Sequence, residues 1–368
     1  MAAKFTLGIE QEFQLVDRQT GNLCSSIDTI LEKGGPLLGE KIKPEAKQSC
    51  VELVTDICPT IEDVRAELRR LNTLLMQIVE EEKLALISAG THPSALWQDQ
   101  KTTEREHYTN LVEEFQDIER SLVIYGLHIH VGIEKREIAI PLLNQLRTWL
   151  PHLLAISSNS PFWGGRDTGL KSYRTALWKM VPRSGLPEIT TSWDHYDSYI
   201  EDLVSVGCIE NGKDLYWDIR PHPFFHTLEF RICDMPATPR DTLALAALCQ
   251  ALVMKLTWLH QRQATLQALP RDYIEENKWL AMRYGLDAPI IDFTKRRRIR
   301  MRDSIHELLD FVDDIIDDLG SRDALHYLRE LMDNPHGTGA DRQVAIYQQT
   351  GDINQVTQFL IQQTMEVY

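Results

Sequence analysis

The 368-residue sequence lacks the cysteine patterns that build metal sites or disulfide frameworks. No C-x-x-C spacing occurs among its six scattered cysteines, which are Cys24, Cys50, Cys58, Cys208, Cys233 and Cys249. Hydrophobic residues make up 43% of the chain, which suffices to bury a core without covalent staples. We therefore expect reduced, buried thiols in a cytoplasmic protein.

An excess of positive charge is also missing. The chain has 39 Lys and Arg residues against 54 Asp and Glu residues, a net charge of −15. This balance disfavours sequence-independent binding to nucleic acid or to an anionic membrane. The one basic cluster, Lys295 to Arg302, is predicted to begin a solvated helix, balanced by the acidic run Asp310 to Asp318.

Long uninterrupted apolar runs are absent. The start, Met1 to Phe5, leads directly into the first predicted strand, so no export signal is expected. The most apolar run, Leu243 to Leu259, contains Gln250 and Lys255 and is short for a membrane span. We predict a buried helix there and no membrane partner.

A phosphate-binding P-loop is missing too, because Leu170 separates Gly169 from Lys171 and the spacing fails by one residue. The polar segment around Arg166 and Lys171 is either an anion contact or an ordinary surface loop. No internal repeat, low-complexity tract or linker divides the sequence. The expected organisation is a single domain over residues 1–368.

What the sequence does contain is a strand pattern with two carboxylates on one face. In Leu7 to Leu15, alternation places Glu10 and Glu12 on one side and apolar residues on the other. Two carboxylates at this spacing repel each other unless a cation lies between them, and Mg²⁺ or Mn²⁺ prefers such oxygen ligands. The other interpretation is a half-buried strand with a wet polar face.

Two further segments add polar side chains to predicted strands. Glu45 and Glu52 lie seven residues apart and are expected on adjoining strands. Leu122 to Ile133 alternates so that His128 and His130 share a face opposite six apolar residues. These imidazoles are either metal or phosphate contacts, or histidines satisfied by hydrogen bonds on a sheet surface.

A last pair of strands is predicted at Leu215 to Arg220 and at Thr227 to Ile232. In the second strand, Glu229 and Arg231 share the face opposite the core. They could form a simple surface ion pair, worth about 0 to 1 kcal/mol. Beside four other acids and two histidines, a metal ligand next to a phosphate-binding arginine becomes the favoured interpretation.

Helices are predicted between and after these strands. A capping box at Thr60 begins an amphipathic helix that runs to about Lys83, and Thr238 with Pro239 begins a long apolar helix. The remaining predicted helices are Asp28 to Lys33, ending at Gly34-Gly35-Pro36, Thr103 to Ser121, and Pro141 to Ser158.

Together these segments resemble the bacterial carboxylate-amine ligases, also called glutamate-cysteine ligase type 2, of the glutamine synthetase-like superfamily. The resemblance covers nearly the whole chain. It rests on Gly8 to Phe13, the pair Glu45 and Glu52, Gly126 to Gly132, Ser158 to Trp163, Trp217 to Pro221, Leu228 to Arg231 and His336 to Gln343.

This resemblance implies an α+β fold in which a curved antiparallel β-sheet lines an active-site funnel and helices pack on its outer face. It implies ATP and Mg²⁺ or Mn²⁺ as cofactors, and Arg231 with Glu229 as the catalytic pair, Arg231 contacting the transferred phosphate. The implied metal ligands are Glu10, Glu12, Glu45, Glu52, Glu229 and one of His128 and His130. Arg174 or Arg220 is a candidate for binding the substrate's α-carboxylate.

The implied activity is ATP-dependent amide formation through an acyl phosphate, with glutamate and cysteine as the substrates that the family name suggests. A divalent-metal hydrolase and a non-catalytic nucleotide- or metal-binding protein are the other hypotheses. Small carboxylate and amine substrates, with amino acids foremost, are the expected partners. Nucleic acid is not, and a homodimer is compatible with the sequence.

Overall fold

The computed structural model describes residues 4–367. Residues 1–3, part of the segment in which no export signal is predicted, lie outside the described residues. The described chain combines an antiparallel sheet with helices, as the family resemblance implies. One large apolar cluster joins the inner face of the sheet to the surrounding helices.

The main sheet is antiparallel and is built around β1. Along the sheet the order is β10, β11, β5, β1, β3, β2, and β4 pairs with the far end of β1. Its strands are β1 (Leu7–Asp17), β2 (Ile42–Pro44), β3 (Cys50–Val54), β4 (Leu84–Ile87), β5 (Gly126–Gly132), β10 (Ile219–Pro221) and β11 (Thr227–Asp234). Short two-stranded sheets are formed by β6 (Phe162–Trp163) with β7 (Arg166–Asp167), β8 (Ser184–Gly185) with β9 (Tyr216–Trp217), and β12 (Pro289–Asp292) with β13 (Arg297–Arg300).

The two faces of β1 differ as the alternation predicts. Ile9, Phe13 and Leu15 are completely buried in the core. On the opposite face, the register pairs Glu10 with His128 of β5 and Glu12 with Glu52 of β3. Since neighbouring strands lie about 4.8 Å apart, this register brings residues distant in sequence side by side.

Helices cover the core face and flank the sheet. The first seven are α1 (Ile27–Leu38), α2 (Ile61–Glu81), α3 (Glu106–Phe115), α4 (Asp117–Ser121), α5 (Ala139–Leu146), α6 (Leu150–Ser157) and α7 (Tyr173–Trp178). The others are α8 (Trp193–Ser205), α9 (Pro239–Gln261), α10 (Arg271–Tyr284), α11 (Met301–Val312), α12 (Arg322–Asp333), α13 (Gly339–Thr350) and α14 (Ile353–Val367).

The long helix α9 is a core helix, as predicted. Within the part of the chain that the structure describes, it is the one helix long and apolar enough to cross a membrane, yet it is mostly buried inside the protein. Thr238 accepts a hydrogen bond from the Asp241 amide, and Pro239 occupies the first turn. Its apolar character is accounted for by packing against helices and the sheet.

Three predicted helix boundaries are wrong. The α1 helix continues past Pro36 to Leu38 instead of ending at Gly34. The helix predicted from Thr103 to Ser121 is two helices, because Gln116 adopts a positive φ of 52° between them. The helix predicted from Pro141 to Ser158 begins at Ala139 and is interrupted by a 3-10 turn at Arg147–Trp149.

The basic cluster is also corrected by the structure. Rather than beginning a helix at Lys295, it forms strand β13 before α11 starts at Met301. Its charges pair locally with Asp292, Asp303 and Glu307, not with the acidic run Asp310 to Asp318. Local pairing explains how a run of arginines lies on the surface of an acidic protein.

The cysteines are unpaired throughout residues 4–367. Four are buried as expected, whereas Cys24 is half-buried and Cys208 is exposed. The prediction of reduced thiols without a disulfide framework agrees with this arrangement, and the prediction that all six are buried is wrong for these two.

Candidate active site

The polar face of the main sheet borders a cavity of about 250 Å³. Side chains from β1, β3, β5 and β11 and from the loop after β2 reach it or lie beside it. Eight residues predicted from the strand pattern thus converge in space: Glu10, Glu12, Glu45, Glu52, His128, His130, Glu229 and Arg231.

One group of potential ligand atoms comes from Glu10, His128 and Glu229, whose atoms lie within 4.8 Å of one another. His128 Nδ1 lies 2.9 Å from Glu10 Oε2. Burial opposes ionisation of Glu10, but hydrogen bonds with His128 and His130 outweigh it and hold the pKa of that carboxyl well below its usual range. This carboxylate is therefore ionised near neutral pH.

A second group comes from Glu12, Glu45 and Glu52, whose oxygens also lie within 4.8 Å of one another. Burial, together with repulsion from Glu12, raises the pKa of Glu45 to about 8. Burial and the charges of Glu10 and Glu45 likewise raise the pKa of Glu52 well above its usual range. Within residues 4–367, Lys43 Nζ lies 3.6 Å from Glu52 and His128 Nε2 lies 3.8 Å from Glu12, so no cationic side chain is within ion-pair distance of Glu45.

The elements that hold this second group differ in kind. Glu12 lies on β1 and Glu52 on β3, directly opposite each other in the ladder, and Glu12 Oε2 accepts a 2.6 Å hydrogen bond from the Gly126 amide. Glu45 does not lie on a strand, contrary to the prediction. It follows β2 in a loop and is half-buried.

Arg231 and Arg220 both contact Glu229, and all three side chains are nearly inaccessible to solvent. Burial opposes the charge on Glu229, but Arg231 and then Arg220 hold the pKa of this carboxyl well below its usual range. Arg220 also donates to the Lys213 and Leu215 carbonyls. Most Arg220 donors are therefore committed to the protein, so binding a substrate carboxylate would require it to break these bonds.

Arg174 is placed differently. Its guanidinium donates to the carbonyls of Ile232 at 3.4 Å and Arg231 at 3.2 Å, and its Nε has no hydrogen-bond partner within residues 4–367. The guanidinium borders the cavity and packs against Gly126, where a side chain would collide with it. Of the two arginines predicted to bind substrate, Arg174 is the one that borders the cavity.

The two histidines on β5 have different environments. Burial and the nearby Arg231 lower the pKa of His128, which favours the neutral imidazole that can bind a metal. Burial also opposes the charge on His130, but hydrogen bonding to Glu10 and the charge of Glu229 raise its pKa. His130 Nδ1 lies 3.3 Å from Thr227 Oγ1. His128 belongs to the first ligand group, whereas His130 lies beside it.

The apolar wall of the cavity was missed by sequence analysis. It comes from α3, from the segment after α4, from α7 and from β9, and includes Tyr108, Phe115, Leu122, Trp178 and Tyr216. A signal was present only for Tyr216, which directly precedes the Trp217 to Pro221 motif. Tyr108 and Phe115 lie in a predicted charged helix, Leu122 begins a predicted strand, and no element was predicted at Trp178. Their place at one cavity is therefore revealed only by the fold.

The two family motifs without an assigned role meet behind the site. Gln343 Nε2 donates to Asn159 Oδ1 at 2.8 Å, and Asn159 Nδ2 donates to the Ser88 and Met235 carbonyls. The Asp234 carboxylate, at the end of β11, accepts hydrogen bonds from the Asn159 amide and the Ser160 hydroxyl. These motifs join α6, α13 and the sheet through buried hydrogen bonds.

The fold is shared by two solved ligases. A glutamate-cysteine ligase from Francisella tularensis, solved in complex with AMP, matches with a TM-score of 0.75 at 14% identity, over 99% of this chain and 89% of that one. A bifunctional glutathione synthetase from Pasteurella multocida matches with a TM-score of 0.68 at 16% identity, over 99% of this chain and 52% of that one. At these identities the likeness establishes the fold.

The chain belongs to glutamate-cysteine ligase family 2, whose profile matches residues 6–358. A relative in Solibacter usitatus is 44% identical over 98% of this chain and 93% of its own length. Another in Roseiflexus castenholzii is 46% identical over 98% of this chain and 95% of its own length. Both carry the name "putative glutamate–cysteine ligase 2". The predicted family and the predicted class, an ATP-dependent carboxylate-amine ligase, are confirmed.

Proposed function

We propose that this protein joins the carboxylate of one small substrate to the amine of another, using ATP and passing through an acyl phosphate. The observation that carries the proposal is the pair of ligand groups beside Arg231 on one sheet face. Phosphoryl transfer to a carboxylate brings anionic oxygens of both substrates together. Catalysis then requires concentrated positive charge where those oxygens meet.

The residues of the site fit divalent cations. Carboxylate oxygens are donors suited to Mg²⁺ or Mn²⁺. The His128 imidazole adds one neutral nitrogen donor to the first group. The raised pKa of Glu45, caused by burial and by Glu12, also indicates that the second group is incomplete without a cation. We assign Glu10, His128 and Glu229 to one ion and Glu12, Glu45 and Glu52 to another, with His130 contacting Glu10 or phosphate. Bound there, the ions would supply positive charge that offsets the negative charge of the ATP phosphates.

The chain's own residues supply the remaining functions. Arg231, which forms an ion pair with Glu229, would stabilise charge on the phosphoryl group during transfer. Arg174 borders the cavity and has the charge and position to bind a substrate carboxylate. Arg220 would hold Glu229 in place. The apolar wall would exclude water, which would otherwise hydrolyse an acyl phosphate before the amine attacks.

Glutamate and cysteine are the substrates we propose, because the family and the relatives carry those names. We further propose that the polar face of a curved sheet lines a funnel and that residues 1–368 act as a single catalytic domain. A cytoplasmic location agrees with the unpaired cysteines. A homodimer remains a prediction.

The proposal is tested by ADP release from Mg²⁺-ATP with glutamate, cysteine, both, and a panel of other amino acids and amines. We expect release to require an acid and an amine together. We expect Glu10→Gln and Glu229→Gln to abolish it, while Glu307→Gln, at a surface ion pair with Arg297, retains it. Release without an amine would indicate a hydrolase, and tight ATP binding without turnover would indicate a sensor. Full activity in both site variants would refute the assignment.

A further inference from the structure

A buried ion pair holds the loop that carries Glu45, the third carboxylate of the second ligand group. Glu12 and Glu52 are fixed by strand pairing, but Glu45 lies in the loop between β2 and β3. A loop carboxylate binds a cation well only if other contacts hold its backbone in place. The contacts of this loop therefore determine how well the group can bind.

The strongest of these contacts joins Lys47 to Glu119. Lys47 Nζ donates to the Glu119 carbonyl at 2.8 Å and lies 3.4 Å from Glu119 Oε1. Both side chains are nine-tenths or more buried, although they lie 72 positions apart in sequence. Lys47 follows Glu45 by two residues, and Glu119 itself borders the cavity. The pair thus ties the loop to helix α4.

Thr103 holds the same loop by its backbone. Its Oγ1 donates to the Glu45 carbonyl at 2.5 Å, and its amide donates to the Ala46 carbonyl at 2.9 Å. Nearby, the Tyr108 hydroxyl donates to the Pro44 carbonyl at 3.0 Å. Every one of these contacts comes from the segment between Lys101 and Ser121. The sheet positions two carboxylates of the group, and this segment positions the third.

We propose that Lys47, Glu119 and Thr103 are positioning residues for Glu45, and that they set the affinity of the second ligand group for a divalent cation. The inference rests on the proposed function, because it assumes that Glu12, Glu45 and Glu52 bind an ion. None of the three positioning residues donates a ligand. Their role is to keep the Glu45 carboxylate facing the other two.

The test is a titration of the full-length protein with Mn²⁺ in the absence of ATP, with free Mn²⁺ followed by electron paramagnetic resonance. The double variant Lys47→Met/Glu119→Gln removes both charges, so that no unpaired charge is left buried. We expect its affinity at one of the two sites to fall by about 10- to 100-fold, the usual effect of losing contacts that orient a ligand. The other site should keep its affinity.

A matched control removes a different ion pair. Lys255 Nζ and Asp314 Oδ2 are 2.6 Å apart, and neither residue borders the cavity. Lys255→Met/Asp314→Asn should therefore bind Mn²⁺ as the wild type does. Thermal unfolding of both double variants measures any loss of stability separately from Mn²⁺ affinity.

If Lys47→Met/Glu119→Gln does not fold, Thr103→Val decides the question, because it removes one hydroxyl without changing charge. We expect its Mn²⁺ affinity to fall severalfold at the same site. Wild-type affinity at both sites in a folded positioning variant would overturn the inference. Failure of the wild type to bind Mn²⁺ at all would instead overturn the proposed ligand groups, and the inference with them.

Discussion

At Gly126, the single carbon atom added by a change to alanine would collide with a residue of the candidate site. Its amide donates to Glu12, and a Cβ built on it would collide with the Arg174 guanidinium. We expect Gly126→Ala to displace Arg174 and to lower kcat/KM by at least about tenfold, equivalent to about 1.4 kcal/mol. The loss should appear mainly in KM for the carboxylate substrate, measured by ADP release.

Gly8→Ala is the matched control for this prediction. It adds the same atom to the neighbouring strand, where the new Cβ would lie 3.5 Å from His130 Cβ, an ordinary contact. Its KM should stay close to that of the wild type. An unchanged KM in Gly126→Ala would show that Arg174 has no part in binding the carboxylate.

At the scale of elements, Gln343 links α13 to the segment after α6. Both of its bonds go to Asn159, with the carbonyl at 3.2 Å and Oδ1 at 2.8 Å, and both groups are buried. Gln343→Ala removes the donor to Asn159 Oδ1, while the Asn159 carbonyl keeps its hydrogen bond from the Gly90 amide, so we expect the free energy of unfolding to fall by about 1 to 3 kcal/mol.

Urea unfolding measures this loss. Gln358→Ala, whose Nε2 makes a 3.5 Å contact to the Gln19 carbonyl on the surface, should change stability little. If Gln343→Ala and Gln358→Ala have the same free energy of unfolding, the contact of Gln343 with Asn159 does not stabilise the packing of the C-terminal helices.

The sequence predicted the strands better than the helix boundaries, for a physical reason. Alternation is enforced by burial of one face, so β1, β5 and β11 and their polar residues were predicted correctly. Helix ends depend on single backbone conformations, such as the positive φ of Gln116, which no periodic pattern contains. Contacts such as Lys47 with Glu119 join residues far apart in sequence, and a single sequence does not indicate them.

At the scale of the whole molecule, the raised pKa values of Glu45 and Glu52 predict that the free energy of unfolding depends on pH. The pKa of Glu45 is about 8 in the folded protein against an ordinary value of 4.5, because of burial and then Glu12. Between these values the folded state binds more protons than the unfolded state, so raising the pH destabilises the fold. In EDTA we expect the free energy of unfolding to fall by about 1 kcal/mol from pH 6.5 to pH 8, allowing for partial exposure.

Urea unfolding at several pH values checks this trend. Staying above pH 6.5 avoids buried His92, whose pKa burial lowers to about 4 and which therefore destabilises the protein only in acid. Glu45→Gln should reduce the dependence without removing it, because the pKa values of Glu52 and His130 are also raised, and saturating Mn²⁺ should reduce it in the wild type. A flat profile in EDTA for the wild type would contradict the prediction.

Because the chain is synthesised from its N-terminus, the strands of the main sheet are made in sequence order, and β11 is made last. Glu10 pairs with His128, and His130 pairs with Glu229 on β11, the last strand of the main sheet along the chain. Until β11 docks, the acids of β1 and β3 face one another without Arg231. Such distant pairings close late in folding, because long loops must first be ordered. We therefore expect a nascent or clipped chain that ends before β11 to release no ADP from ATP.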